Sequence, residues 1–125
     1  MPTLDDVATI LAELPGAVAN ESDGRRSWTV AGKGIVWERA FSKADLRRFG
    51  DEPVPDGPIL AVRVADLVEK EAVLAAHEAG VFTIPHFNGY AAVLVQLPIV
   101  EPDTLRELLV EAWRTYAPGA PPPGG

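Results

Sequence analysis

The chain has 125 residues, 47% of them apolar and 23% charged, the composition of one globular domain with a single core. It has no cysteine, only two histidines, and 18 acids against 11 bases for a net charge of −7. These counts exclude a disulfide scaffold, a thiolate zinc site, a cysteine nucleophile and an iron–sulfur centre, and they argue against a polyanion binder that works through bulk charge.

Thr3 and Asp6 form a capping-box pair ahead of Leu4, Val7, Ile10, Leu11 and Leu14, which predicts a first helix ended by Pro15-Gly16. Residues 17–26 read as a polar loop. Ser27–Ala31 reads as a strand, Ala31-Gly32-Lys33-Gly34 as a hairpin connection, and Ile35–Phe41 as the return strand. Alternation in the return strand puts Ile35, Trp37 and Phe41 on one side and Val36, Glu38 and Ala40 on the other. Ser42 with Asp45 predicts a short helix near 43–49. The three prolines of 50–58 predict a loop.

Ile59–Ala65 is a third strand. A helix starts at Asp66 and runs towards Gly80, with Val68, Ala72, Ala75, Ala76 and Ala79 as its small-residue stripe. Val81–Ile84 and Tyr90–Leu97 are strands four and five, joined through a Pro85–Gly89 turn. The last helix spans about Asp103–Tyr116, with Leu105, Leu108, Leu109, Ala112, Trp113 and Tyr116 on its buried face. The expected fold is α+β: a two-layer domain over residues 1–116, with an antiparallel sheet of about five strands covered on one face by helices. The Pro- and Gly-rich residues 117–125 are expected to be a disordered tail.

The N-terminal MPTLDD is acidic where a secretory signal would be basic and then apolar, and no apolar run approaches a membrane span. A cytoplasmic protein without membrane contact is therefore expected. Gly32-Lys33-Gly34 is not a phosphate loop, because Ser27 stands where the first glycine should be and Gly34 where Ser or Thr should follow the lysine. His77 and His86 have neither thiols nor helical pair spacing to make a metal site. No nucleophile elbow or carboxylate pair is visible, so neither catalysis nor a cofactor is expected.

Charge is distributed unevenly. Residues 25–48 hold seven bases, Arg25, Arg26, Lys33, Arg39, Lys43, Arg47 and Arg48, against Glu38 and Asp45, a local +5 in a chain whose remainder carries −12. Such a segment is either a solvated surface balanced by acids elsewhere or a contact for DNA phosphates. A second candidate contact uses the other faces of the strands, which mix Val36, Ala61, Ala92 and Leu94 with Thr29, Glu38 and Arg63. A sheet face fully in water alternates more cleanly. Cover by loops, a homodimer face or a groove for a protein or small ligand would each explain the mixture, with His86, Asn88, Tyr90 and Leu94 as the contact residues.

The stretches LPGA, SWTVAGKGIVW, HEAGVFTIPHFNGYAAVLVQL and LRELLVEAWRTYAP are similar to the MmcQ/YjbR family over roughly residues 4–118. The likeness rests on Leu14, Pro15, Gly16, Gly32 and Lys33. It continues on Phe82, Thr83, Pro85, His86, Gly89 and Tyr90, and ends on Glu111, Ala112, Trp113 and Pro118. The resemblance implies a CyaY-like, double-wing α/β domain with an antiparallel sheet, a family commonly labelled DNA-binding, and it supplies no catalytic residues. The Pro-rich stretch 50–58 departs from the family's usual form.

Overall fold

Thr3 starts the first helix as its spacing predicts. Its Oγ1 accepts from the Asp6 N–H at 3.2 Å, and its own N–H donates to Asp6 Oδ2 at 2.8 Å. The computed structural model describes residues 2–39, 41, 43–51 and 57–117, with the side chain of His86 outside that set. The expected Ser42 cap, the loop residues 52–56 and the tail residues 118–125 also lie outside the described residues. Ala117 does not belong to a free tail: it is buried, and its N–H donates to the Trp113 carbonyl at 2.8 Å.

The helices are α1 (Leu4–Ala12), α2 (Lys43–Phe49), α3 (Leu67–Ala75) and α4 (Pro102–Tyr116). The strands are β1 (Ala17–Ser22), β2 (Arg25–Val30), β3 (Lys33–Glu38), β4 (Ile59–Arg63), β5 (Val81–Phe82) and β6 (Ala92–Gln96). They form one sheet in the order β1-β2-β3-β4-β6-β5, with every described pairing antiparallel. The chain is α+β, with helices packed on the sheet. Among the described residues no helix is long and apolar enough to cross a membrane.

The sixth strand is β1, which falls where a loop was expected. Its signal was Asp23-Gly24, a two-residue turn with φ of 53° and 76° that returns the chain into β2 from Arg25. Alternation failed to reveal β1 because it is an edge strand exposed along most of its length. The next hairpin closes through Ala31 and Gly32, again with both φ values positive.

A bulge corrects the reading of β3. Trp28 pairs with Val36 and Thr29 with Gly34, so Ile35 is an extra residue on β3. Ile35 and Val36 therefore both enter the helix-side core, and Trp37 turns to the opposite face. A bulge adds one residue to the count, and strict period-2 alternation fails at that point.

Two apolar clusters lie on the two sides of the sheet. On the helix side, Val7 and Leu11 of α1 and Leu105, Leu109 and Ala112 of α4 cover Trp28, Val30, Val36, Leu60, Val62, Val93 and Val95. On the second face, Ile84 and Phe87, with Phe41, Phe49 and Phe82 at the margin, cover Ile59, Ala61, Ala92 and Leu94. The strands β4 and β6 are thus buried on both sides and read as nearly continuous apolar runs. The mixed character of the second face has a local explanation: the chain covers its own β4–β6 half. The β1–β3 half, with Val18, Asn20, Ser27 and Thr29, has no such cover. Leu94, expected as a partner contact, is completely buried under this cover and faces no partner.

The α3 helix is also corrected. It ends at Ala75, well before Gly80, and its expected packing stripe faces outward: Val68, Ala72 and Ala75 are exposed while Lys70 is buried. Gly80 has another task. At φ +80° it passes so close to the next segment that a Cβ would lie 2.8 Å from the Val100 nitrogen, and its carbonyl accepts from the Gln96 N–H at 2.7 Å. At the other end, Trp113 Nε1 donates to the Pro15 carbonyl at 2.7 Å and ties α4 to the turn after α1.

Candidate nucleic-acid interface

The structure separates the seven bases of residues 25–48. Arg26 turns to the helix side, where its Nη1 lies 3.2 Å from Asp5 Oδ1 of α1, and its N–H donates to Glu38 Oε1 at 2.8 Å. Arg39 Nη2 donates to Asp45 Oδ2 at 2.9 Å and its guanidinium lies over the Phe87 ring. Arg48 Nη1 sits 3.8 Å from Asp45 Oδ1. Asp45 is buried on a short helix, where these two guanidiniums meet it.

Arg25, Lys33, Lys43 and Arg47 are exposed and form no ion pair among the described residues. Lys33 stands apart, beyond the turn at the far end of β2, roughly 17 Å of strand from Arg25 at 3.3 Å per residue. Arg25 shares a shallow hollow of about 300 Å³ with Glu38, Arg39, Phe41 and Ile59. Phe41 stacks edge-on against Phe49 of α2, the helix that carries Lys43 and Arg47. Arg25 thus lies at one end of the second face, which α2, the carrier of Lys43 and Arg47, meets through Phe49 and Phe41, and Lys33 lies at the other end.

The strand residues of β1–β3 that point to this face follow from the register: Val18, Asn20 and Ser22, then Arg25, Ser27 and Thr29, then Trp37. None is acidic. The acids concentrate on the helices of the opposite layer and beside them, with Asp5 and Asp6 on α1, Glu69 and Glu71 on α3, and Asp103, Glu107 and Glu111 on α4. Among the described residues these acids lie away from Arg25, while Glu38, Asp45 and Asp51 lie at or beside the basic end.

Sequence reasoning placed Arg63 on the mixed sheet face but not among the contact residues. It ends β4 on the second face, donates from Nε to the Gly34 carbonyl at 2.8 Å and from Nη2 to the Tyr90 hydroxyl at 2.7 Å. Its guanidinium lies 5.2 Å from the Tyr90 ring, 5.7 Å from Trp37 and 5.8 Å from Tyr116. Such contacts hold aromatic rings in fixed orientation at a partly solvated site. No local signal in the sequence marks it, since the three rings come from β3, α4 and the turn before β6.

Of the other expected contacts, Tyr90 lies in that turn and not on a strand, and it is over a third exposed. Asn88 is exposed beside it, and His86 falls within a 3-10 turn over Pro85–Phe87. Lys70 clamps this segment from α3: its Nζ donates to the Phe87 carbonyl at 2.6 Å and to the Tyr90 carbonyl at 2.8 Å. Burial holds the Lys70 ammonium below the ordinary lysine pKa. Among the described residues no group of His, Asp or Glu side chains is placed to hold a metal ion.

No family model matches the chain, and no solved structure matches it. It is 44% identical over 121 residues to the uncharacterized protein Rv2570 of Mycobacterium tuberculosis, and equally to the uncharacterized protein Mb2600 of Mycobacterium bovis. Each alignment covers 94% of this chain and 91% of the relative.

Proposed function

The chain belongs to the same family as the mycobacterial proteins Rv2570 and Mb2600, and we propose that it is a small cytoplasmic nucleic-acid-binding domain, a binder and not an enzyme. The observation that carries this reading is the segregation of charge. Arg25, Lys43 and Arg47 form no ion pair among the described residues, and the β1–β3 side chains that point to the second face include no acid, the nearby Glu38 being held by the Arg26 N–H. The likeness of the sequence to the MmcQ/YjbR family, commonly labelled DNA-binding, supports the same reading.

Partly exposed Trp37 and Tyr90 favour single strands. Their rings lie 6.3 Å apart, held by Arg63, and unpaired bases have π-faces to stack on them. A double helix would shield those faces. The acidic helix layer keeps binding weak and local, since its repulsion acts on any strand that extends past the basic end.

Fluorescence anisotropy with labelled 12-nucleotide single strands tests this. Three phosphate contacts give a log–log salt slope of about −2 for single strands. Glu in place of Lys43 and Arg47 together should abolish binding, while Lys33→Glu should leave it unchanged. Absence of any binding to DNA or RNA at low salt would overturn the proposal, as would equal sensitivity to Lys33→Glu.

A further inference from the structure

On the opposite side of the molecule, α3 and α4 flank an open groove of about 670 Å³. Its interior is apolar, formed by the half-buried Val73, Val81 and Leu108. Its rim is acidic, with Asp66, Glu69, Glu78, Glu107 and Glu111. The one base among the lining residues, Arg114, is drawn to Glu111, with Nη1 at 3.2 Å from Oε1.

The two walls differ from ordinary surface helices. The α4 residues Thr104, Glu107, Leu108, Glu111 and Thr115 fall on one stripe at helical spacing. The α3 wall is inverted: it buries Lys70 and presents Val68, 76% exposed, to the groove. Val68 lines the same groove as Val73, Val81 and Leu108, so the exposed apolar surface is a patch rimmed by polar residues and not one isolated side chain. Acids around that patch favour a cation-bearing occupant, because five carboxylates with one engaged base attract cations and repel anions.

We infer that this groove docks a basic amphipathic helix from a partner protein, its apolar face over Val68, Val73 and Leu108 and its Lys or Arg residues on the acidic rim. The stretch from Thr104 to Thr115 spans roughly 16 Å of helix axis, the length of about three helical turns. This inference stands apart from the nucleic-acid reading, which uses the other face of the sheet.

The test uses a fluorescein-labelled 15-residue peptide with Leu at i, i+3, i+4 and i+7 positions and Lys elsewhere, titrated with the full chain. The double variant Glu69→Lys with Glu107→Lys should weaken binding at least tenfold. Val68→Ser should weaken it several-fold. The control, Glu21→Lys with Glu71→Lys, changes net charge equally at exposed positions outside the groove and should change affinity less than twofold. Equal losses in both double variants would overturn the inference, because bulk charge would then suffice. An unaffected Val68→Ser variant, absence of binding at low salt, or displacement of the peptide by an equal concentration of spermine would also overturn it. Circular dichroism on each variant confirms that the compared proteins are folded.

Discussion

Replacing Lys70 by Met removes two charge-assisted hydrogen bonds and keeps most of the packing volume. In the native chain the ammonium donates to the Phe87 and Tyr90 carbonyls at 2.6 and 2.8 Å, and it is 6% exposed. Neither carbonyl is orphaned, since Phe87 also accepts from the Tyr90 N–H at 3.0 Å and Tyr90 from the Ala92 N–H at 2.8 Å, so the cost is that of two lost bonds to a charged donor, about 1.5–3 kcal/mol each. Two effects reduce that sum. Met carries no charge to desolvate, and the Tyr90 carbonyl is only part-buried, so water replaces some of its lost bond. A net loss of about 2 kcal/mol follows. With roughly 0.26 kcal/mol/K of unfolding entropy for a chain of this size, the melting temperature should fall by about 8 °C.

The pH dependence gives a second reading of the same residue. Burial lowers the folded-state pKa of Lys70 below its ordinary value of 10.5. Between the two values the unfolded chain binds more protons than the folded one, so the native protein gains stability as pH rises towards 10.5 and loses that increment as pH falls through the folded pKa. The Met variant lacks this group, so the stability gap between the two proteins should widen from pH 7 to pH 10. Urea unfolding followed by tryptophan fluorescence measures both quantities. A Met variant as stable as the native chain at pH 7, or a gap that narrows at pH 10, would refute the account of Lys70 as a desolvated clamp.

Other expectations follow from single positions. Leu94→Ala should cost about 2–5 kcal/mol, measured by urea unfolding, because the side chain is fully enclosed between the sheet and the Ile84–Phe87 cover. A surface contact residue would cost far less. Ala31 sits at φ +52° in a two-residue hairpin turn, where an L side chain without local hydrogen-bonding ability is strained. Ala31→Asn should therefore raise the melting temperature by about 2–4 °C, equivalent to roughly 0.5–1 kcal/mol, and calorimetry would show it.

Several elements are legible in the residues because their causes are local. The Thr3–Asp6 box, the buried stripe of α4 and the two-sided apolar runs of β4 and β6 each stand in a short window of sequence. The candidate interface is legible only in part. The basic window is plain, but which of its members are free depended on Asp5, 21 residues from Arg26, and on how Asp45 packs. Arg63 was legible only as a polar residue of the mixed face, because its significance lies in rings drawn from three distant elements.

The net charge of −7 argues against indiscriminate polyanion binding, and the absence of cysteine excludes thiol chemistry, from composition alone. Helix caps and hydrophobic period also came from the sequence, since neighbours within four residues decide them. Tertiary structure decided the rest. An edge strand shows no alternation when both of its faces meet solvent, so β1 is visible only through its pairing with β2. A single bulge at Ile35 reverses the facing of every later residue in β3 and moves Trp37 to the second face. The outward face of α3 is likewise tertiary: Lys70 turns inward to the Phe87 and Tyr90 carbonyls, which come from a segment 17–20 residues further on, and Val68 is left outside. Charge separation across the sheet has the same origin: a chain lists its charges in one order, and the sheet sorts them to two sides.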